Sequence, residues 1–540
     1  MSELLKLRSP KHLHHPRRDG SESIIELKTV ARGTGDSLLE KLIAGPEGER
    51  FANLGVWILM AYTAARNVWA ASVRPFWYDE LCTVAVARAA SFSALLGAFR
   101  GAKDSNPLPF YLVEHVSRAL SANEHVSYRL PSIAGFCLVL WCLFAVIRKR
   151  NGAVCALVCS ATLLLTPLYN PYAVEARPYS MVAACIAAAL FCYQRTPRLL
   201  WTILFGFSLA ASESLHFYAL FAFVPFAMAE SALLWKERRF RWGVWLAMGF
   251  GLVPLALSWT LLKGFQKFYG ARFWAPASLV RTANTYALFL KTFAPIAIAI
   301  VAVLAIISLK GSLWGAEDDA EDASWQERWL AVGLLALPVV GYAATKVAHG
   351  GLAERYVLPM VLGLPLGFAW MLGQFERKTV AFFAGFVLIA MTLQEGFFWK
   401  AESGTFGKVV SPADAVERLV DSASIRPDLP IVVSDGHDYV PLAYYASPDW
   451  AKRFVSVVDP EEAVVYSGSD SLDKQLSALQ CCLPLRVYGF HNFADAHPAF
   501  LLYSGGGQWD WWPVRLLHDG YTLQLLAAEK NNRLYSVSHP

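Results

Sequence analysis

The chain has 540 residues, of which 55% are hydrophobic and 14% aromatic, and its formal net charge is +5. Charged residues make up only 17%, well below the share of about 25% that is usual in soluble domains. This composition excludes an ordinary soluble enzyme, and the modest net charge gives no indication of nucleic-acid binding.

Residues 1–50 lack the apolar core of a signal peptide, and their run KLRSPKHLHHPRR is basic, so we predict a disordered cytoplasmic tail. Long apolar segments follow. A bilayer core of about 30 Å takes roughly 20 apolar residues as a helix. The pattern therefore predicts a polytopic α-helical membrane protein with about eleven spans in a transmembrane domain at 51–400. The predicted spans are 51–71, 128–147, 153–169, 178–194, 199–213, 216–235, 243–262, 283–308, 329–347, 356–373 and 379–398.

The loops between these spans differ in charge. The short loops 148–152, 194–198, 235–242 and 374–378 are mostly basic and fall on the side of the N-terminus. Because basic loops stay in the cytoplasm, we expect a multi-pass protein of the inner (plasma) membrane whose residues 401–540 lie outside.

The segment 72–127 then becomes a large first external loop. Its stretch 106–120 is too short an apolar run to cross the bilayer and carries ionisable side chains. We expect an amphipathic helix on the outer membrane surface there.

Ionisable and polar residues collect on the predicted outer face. Charges at membrane depth are costly and usually mark a functional cavity, whereas the alternative is a set of snorkelling anchors beside an aromatic belt. The collection of the whole set on one face favours a functional site over isolated anchors. Its members are Asp79, Glu80, Asp104, Asn106, Arg129, Glu175, Arg177, Glu213, His216, Arg272, Glu354 and Arg355.

Five stretches at these residues resemble a bacterial family. FWYDELCT, KDSNPLPFYLVEHV, YRLPSIAGF, YAVEARPYS and AERYVLPM are similar, in this order, to motifs of GT-C class membrane glycosyltransferases. That class includes protein O-mannosyltransferases and lipid A aminoarabinose transferases. The resemblance covers about residues 50–400. It implies a GT-C type fold and transfer of a sugar from a polyprenyl-phosphate carrier to an envelope acceptor outside the membrane.

The resemblance also implies site residues. The family's catalytic carboxylate maps onto Asp79, with Glu80 beside it. A second acid, commonly followed by two prolines, maps onto Asp104 and Pro107, but Leu108 stands where the second proline often is. This departure leaves the start of the local helix open.

The chemistry of such a transfer needs a base for the acceptor hydroxyl and cations for the phosphate. A carboxylate at the membrane surface suits the base, and a neighbouring acid is expected to raise one pKa of the pair. Arg177 and Arg355 suit the phosphate because guanidinium binds its oxygens bidentately. A single in-line displacement would invert the anomeric centre. The candidate substrate-binding residues are Asp104, Asn106, Arg129, Glu175, Arg177, Tyr179, His216, Tyr218, Arg355 and Tyr356.

Other interpretations stay open at this point. One of the two acids could cap a helix that begins near Leu81, while the other pairs with Arg74. No cofactor is indicated, although a transfer that depends on a divalent metal is not excluded. From another class, a transporter or flippase of lipid-linked envelope intermediates would share the spans and lipid grooves. Transporters, however, usually place charges near the midplane of repeated halves.

Residues 401–540 differ from the rest. Short strands punctuated by Gly, Pro and Asp, as in LPIVVSDGHDYVPLAYYAS, predict a small external α/β domain. We interpret SDGHD as a turn at a strand end and assign the domain no chemistry. Cys481 and Cys482 are adjacent, and we do not expect them to bridge each other.

Overall fold

The computed structural model describes residues 46–166, 169–269, 272–291, 325–348, 350–373, 377–402, 411–423 and 429–539. The predicted tail, up to residue 45, and most of the predicted span 283–308 lie outside these ranges.

The described part of residues 46–402 is built from α-helices joined by short 3₁₀ segments. The helices are α1 (Pro46–Val73), α2 (Tyr78–Ala87), α3 (Phe92–Ala102), α4 (Leu108–Ser117), α5 (Glu124–Ser127), α6 (Leu130–Ala161), α7 (Tyr179–Tyr193), α8 (Leu199–Leu215), α9 (Phe223–Glu237), α10 (Trp242–Gly251), α11 (Val253–Leu257), α12 (Trp259–Tyr269), α13 (Leu279–Leu290), α14 (Trp325–Leu335), α15 (Leu337–Ala348), α16 (Gly363–Leu372) and α17 (Arg377–Glu402). The 3₁₀ segments are Thr162–Leu165, Pro171–Val174, Phe217–Ala222 and Glu354–Leu362.

Three helical stretches in the described ranges are long and apolar enough to cross a membrane, namely Leu130–Leu165, Phe217–Glu237 and Glu354–Leu372. Two further pairs, α10–α11 with α12 and α14 with α15, pass the same test together but bend by 52° and 58°. Length and composition thus support three spans, or up to five if each bent pair is one span. The count of about eleven stays a prediction.

The chain breaks within the predicted basic loop 148–152, but the break is a single-residue bend and not a loop. Residues 148–151 continue α6, and the break comes at Gly152, whose φ of 76° lies in the left-handed region. Glycine reaches this conformation without a steric penalty, so one residue suffices to bend the chain. Glu49 stabilises the bend, because it accepts a hydrogen bond from the amide of Ala153 at 3.2 Å and pairs with Arg148.

The first loop is compact and helical. Pro107 precedes α4, which begins at Leu108, so a proline pair is not required to start this helix. The carboxyl group of Glu114 in α4 is fully buried, and burial raises its pKa well above the ordinary value. An amphipathic helix at the outer surface stays a prediction, and the buried acid shows that α4 packs into the protein on one side.

The C-terminal region contains a six-stranded sheet with helices between its strands. The elements are α18 (Pro412–Ser422), β1 (Ile431–Val433), α19 (Gly436–Tyr445), α20 (Pro448–Ala451), β2 (Phe454–Val458), α21 (Pro460–Ser467), α22 (Ser471–Leu479), β3 (Val487–Gly489), α23 (Phe490–Ala496), β4 (Ala499–Ser504), α24 (Trp512–His518), β5 (Thr522–Glu529) and β6 (Asn532–Ser538). The strand order in the sheet is β3-β2-β1-β4-β6-β5. Strands β1 to β4 pair in parallel, whereas β6 pairs antiparallel with β4 and β5. The central strands β1 and β2 are buried along their whole length, as in a sheet covered on both faces.

This sheet domain packs directly on the first loop. The hydroxyl of Tyr445 accepts a hydrogen bond from the amide of Phe76 at 2.6 Å and lies 2.7 Å from Nε2 of His125. Tyr78 donates to Gln475 at 3.0 Å. One continuous hydrophobic core includes residues of the loop, the bundle and the sheet domain, so the loop is held from both sides.

The cysteines differ from expectation. Cys481 and Cys482 form a disulfide, in the turn that follows α22. Both sulfur atoms face α3, where Cys482 Sγ lies 3.8 Å from the carbonyl oxygen of Ala98 and Cys481 Sγ lies beside Gly101. A tight turn that directs both side chains to one neighbouring helix brings the two thiols together.

Candidate active site

The carboxylate of Asp79 lies at the centre of the candidate site, in the first turn of α2. Its Oδ2 is 3.1 Å from Nη2 of Arg355, at the start of the 3₁₀ segment Glu354–Leu362. This oxygen is buried and accepts no well-formed hydrogen bond from any described residue. The carboxylate therefore has capacity for another polar partner.

A second arginine reaches the same residue from the segment before α7. Nη1 of Arg177 donates to the main-chain oxygen of Asp79 at 3.1 Å and to Oγ1 of Thr83 at 3.1 Å. It also pairs with Oδ2 of Asp104 at 2.9 Å. The two arginines chosen from the sequence thus converge on Asp79.

Glu80 faces the other way and is fully engaged. Arg129 holds it at two points, with Nε 2.7 Å from Oε1 and Nη2 2.6 Å from Oε2. Glu80 also accepts hydrogen bonds from the amides of Ala176 at 2.8 Å and Trp77 at 3.2 Å. This buried carboxylate fastens α2 to the starts of α6 and α7.

The alternative in which one acid has a structural role is therefore correct for Glu80, with different details. The helix begins at Tyr78, not near Leu81, and Glu80 caps it by accepting from the Trp77 amide. Its ion-pair partner is Arg129 instead of Arg74.

The pKa of Asp79 lies below its ordinary range. Burial raises this pKa, but the nearby guanidinium groups of Arg355 and Arg177 lower it by more. The expected rise from a neighbouring acid is wrong for Asp79, because the charge of Glu80 is balanced by Arg129. Asp79 is ionised at neutral pH, which is the form that a general base requires.

Asp104 and Asn106 form a support for Arg177. Oδ2 of Asp104 accepts from the hydroxyl of Tyr111 at 2.6 Å and from Nδ2 of Asn106 at 3.3 Å, in addition to its ion pair with Arg177. The predicted substrate-binding role for Asp104 and Asn106 stays a prediction. Their observed contacts position the arginine.

Glu175 is the other acid near Asp79. Burial, together with the negative charges of Glu80 and Asp79, raises its pKa to about 8. A carboxyl group with this pKa is largely protonated at neutral pH, so it can donate a hydrogen bond.

Aromatic rings surround the guanidinium group of Arg355. Their centroids lie 4.9 to 6.0 Å from the Arg355 guanidinium carbon, and they belong to Trp77, Tyr179, Trp274 and Tyr356. Two more predicted residues extend the cluster: Tyr218 stacks on Tyr356 with ring centroids 4.2 Å apart, and His216 lies 5.4 Å from Tyr179.

Several buried polar atoms around Asp79 have no hydrogen-bond partner within the described ranges. They are Asp79 Oδ2, Arg177 Nε, Arg355 Nε, Glu175 Oε2 and Trp77 Nε1. Such atoms are rare in folded proteins and call for an explanation. Donors and acceptors left without partners in one place are typical of a site for a polar ligand.

The sheet domain brings a residue that we did not predict for the site. The ring of His437, in SDGHD, lies 4.7 Å from the ring of Tyr78, the neighbour of Asp79. Asp435 caps α19 through the His437 amide, and its Oδ1 lies 3.0 Å from Nδ1 of the same histidine. SDGHD is indeed a turn at a strand end, but no local pattern indicates that the turn faces Asp79.

Other residues of the predicted outer face have separate surroundings. Glu213, at the end of α8, is buried, and neither of its carboxylate oxygens has a hydrogen-bond partner in the described part of the chain. The carbonyl oxygen of Arg272 accepts from Ser469 of the sheet domain. No group of three or more His, Cys, Asp or Glu side chains in the described ranges is arranged to hold a metal ion.

No protein-family model matches the chain, and no curated protein does. Among solved structures, the helical bundle with its C-terminal sheet domain has the fold of the GT-C class of membrane glycosyltransferases. One of the matching structures is ArnT from Cupriavidus metallidurans in the apo state, with a TM-score of 0.55 and 12% identity over 90% of this chain and 98% of that chain. This match confirms the fold that the sequence resemblance implies. ArnT bound to undecaprenyl phosphate is also matched, with a TM-score of 0.41 and 13% identity over 89% and 97% of the two chains.

Proposed function

We propose that the protein is an integral-membrane glycosyltransferase that moves a sugar from a polyprenyl-phosphate carrier to an envelope acceptor on the external face of the membrane. The observation that carries the proposal is the geometry of Asp79. It is an ionised, partly buried carboxylate with a free acceptor position, next to two arginines that each have an unpartnered Nε. A base and two cations are what transfer from a sugar phosphate requires.

The arginines bind the donor. Arg355 and Arg177 present guanidinium groups that pair with phosphate oxygens bidentately and stay charged. Arg355 pairs with Asp79, and in the proposed cycle it turns to the phosphate when the donor binds. Asp79 then loses its main cationic partner, its pKa rises, and it becomes a stronger base.

The transfer is a single displacement. Asp79 takes the proton of the acceptor hydroxyl while the acceptor oxygen attacks the anomeric carbon. The bond from that carbon to the phosphate oxygen breaks, and the phosphate leaves with the electron pair, balanced by the arginines. The anomeric configuration is inverted. Protonated Glu175 and the ring cluster around Tyr179 hold the sugar, because carboxyl donors and aromatic faces both suit its hydroxyl-rich surface.

The sheet domain covers the acceptor side. His437 lies next to Tyr78, and its Nδ1 is oriented by Asp435, so its other nitrogen is available to an acceptor group. This placement supports a route for the acceptor between the first loop and the sheet domain.

Mass spectrometry of the lipid that co-purifies with the protein tests the proposal. A polyprenyl-phosphate sugar that is consumed when a membrane extract supplies acceptors would support the transferase. An intact oligosaccharide on a lipid diphosphate, released unchanged, would contradict it and indicate a flippase. The Arg355→Lys variant should retain less of the donor if the site around Asp79 holds it, whereas the control Arg239→Lys, on an exposed loop, should retain it like the wild type.

A further inference from the structure

A groove at the far end of the bundle from Asp79 is lined by basic and aromatic side chains. It has a volume of about 510 Å³, and its lining includes Trp57, Trp141, Phe191, Arg148, Lys149 and Arg195. It lies just before the bend at Gly152 in α6 and at the end of α7, whereas the candidate active site lies where these two helices begin.

The length of helix α1 gives the separation of the two sites, because residues near its two ends contact them. Near its start, Glu49 pairs with Arg148 of the groove, and near its end, the carbonyl oxygen of Ala71 accepts from Arg129 beside Glu80. The 22 residues from Glu49 to Ala71 correspond to about 33 Å of α-helix at 1.5 Å per residue. That length is close to the hydrocarbon thickness of about 30 Å. In a bundle that crosses the bilayer, this separation would place the groove and the active site at opposite membrane faces.

The charges of the groove are only weakly balanced. Arg148 pairs with Glu49 at 3.0 Å, but both side chains are more than two-fifths exposed, and such exposed pairs are weak. Lys149 donates to the carbonyl oxygen of Gln194, and Arg195 to that of Phe191. Carbonyl acceptors orient these cations without neutralising them.

Nearby cations at the same end of the bundle are paired with less exposed carboxylates. Arg150 pairs with Glu327 at 2.7 Å, and Arg241 pairs with the buried Glu230. Compared with these pairs, the cations of the groove are less neutralised and can bind an anion.

The aromatic walls of the groove suit the acyl chains of a lipid, and its cations suit a phosphate headgroup. Trp57 is 58% exposed, and the guanidinium of Arg195 stacks over Phe191 at 3.5 Å. Tryptophan is enriched at the membrane–water interface, and basic pockets between spanning helices bind phosphate headgroups. A soluble phosphate would use the cations but not the apolar walls.

We propose that this groove binds the phosphate headgroup of an anionic phospholipid, with Arg148, Lys149 and Arg195 on the phosphate and the aromatic side chains along the acyl chains. The polyprenyl carrier is a poor candidate for this position, because the proposed transfer needs its phosphate beside Asp79. The lipid would anchor this end of the bundle in its leaflet. Only the exclusion of the polyprenyl carrier rests on the proposed function.

Native mass spectrometry of the full-length protein tests the proposal with phosphatidylglycerol, phosphatidylcholine and a polyprenyl monophosphate as probes. The wild type should retain phosphatidylglycerol over phosphatidylcholine by at least about ten-fold, since each basic residue at the interface strengthens binding to anionic lipid. The variant R148Q/K149Q/R195Q should lose this preference. Asp79→Asn should keep it, which separates the lipid site from the catalytic one.

The matched control removes the same charge from the neighbouring basic loop, in K236Q/R238Q/R239Q, whose three side chains are exposed. It should retain phosphatidylglycerol like the wild type. An unchanged preference in the groove variant, an equal loss in the control, or a loss confined to the polyprenyl monophosphate would each overturn the proposal.

A gentler variant keeps the test valid if the triple change impairs folding. R148K/R195K preserves the charge and most of the packing but removes the planar donors of guanidinium. We expect retention of phosphatidylglycerol to fall several-fold. Undiminished retention would show that the guanidinium groups do not hold the phosphate.

Discussion

Glu80 and Arg129 form a buried two-point ion pair, with Nε–Oε1 and Nη2–Oε2 distances of 2.7 and 2.6 Å. Each side chain is 2% exposed or less. The adjacent acid, Asp79, instead faces Arg355 and keeps an acceptor position open. The two neighbouring carboxylates therefore have different surroundings: Glu80 fixes the loop to the bundle, and Asp79 keeps the acceptor position that its proposed role as a base requires.

The first prediction concerns this ion pair. Glu80→Gln should destabilise the protein by about 3–5 kcal/mol, the usual effect of leaving a buried charge unpaired. Thermal unfolding in detergent measures the change. Lys452→Gln, which breaks an exposed pair with Asp449, is the control and should shift stability by about 1 kcal/mol or less. Equal effects in both variants would refute the structural role of Glu80.

The second prediction concerns the donor phosphate. Arg355→Lys keeps the charge but loses the planar fork that binds two oxygens, so donor affinity should fall about ten-fold or more. Titration with the co-purified polyprenyl-phosphate sugar measures the affinity. Arg239→Lys, on an exposed loop, should bind like the wild type. Unaltered binding by the Arg355 variant would exclude it from the phosphate site.

The third prediction concerns pH. The pKa of Glu175 is raised to about 8, so the folded protein holds a proton that the unfolded chain releases near the ordinary pKa of 4.5. Stability should therefore fall as the pH rises from about 4.5 to about 8. Glu175→Gln has no such proton. The melting temperature of Glu175→Gln should therefore increase relative to that of the wild type as the pH rises across this window. A difference between the two melting temperatures that stays constant with pH would contradict the raised pKa.

Much of this arrangement is predictable from local sequence. The motif WYDEL and the stretches around Arg177 and Arg355 placed an acid and two arginines on one face, and the structure brings them together. The separate tasks of the two acids are not predictable in this way. Successive residues of a helix point about 100° apart, and which direction meets Arg129 depends on the packing of α6 against α1.

Other features depend on contacts distant in sequence. Trp274 and His437 carry no local signal for the site, and each reaches it through the packing of a separate segment. The bend at Gly152 shows a further limit, because the basic residues before it suggest a loop while their backbone stays helical. A basic run in the sequence therefore does not define where a helix ends.

The fourth prediction concerns sidedness. Asp449, in α20 of the sheet domain, has a side chain that is 93% exposed, so Asp449→Cys offers an accessible label site. The basic loops predict that a membrane-impermeant thiol reagent modifies it in intact spheroplasts. Arg239→Cys, at the other end, should react only after permeabilisation. The reverse pattern would place the candidate site in the cytoplasm and refute an external transfer.

The base assignment is the centre of the account, and the turnover of Asp79→Asn tests it most directly. Asn keeps the shape of the side chain but cannot accept a proton at neutral pH. The kcat, measured per folded protein with the co-purified polyprenyl-phosphate sugar as donor, should fall by about 10²-fold or more, the usual scale for general-base catalysis, while donor is still bound. A variant that turns over at the wild-type rate would contradict the account, because Asp79 could then not be the base.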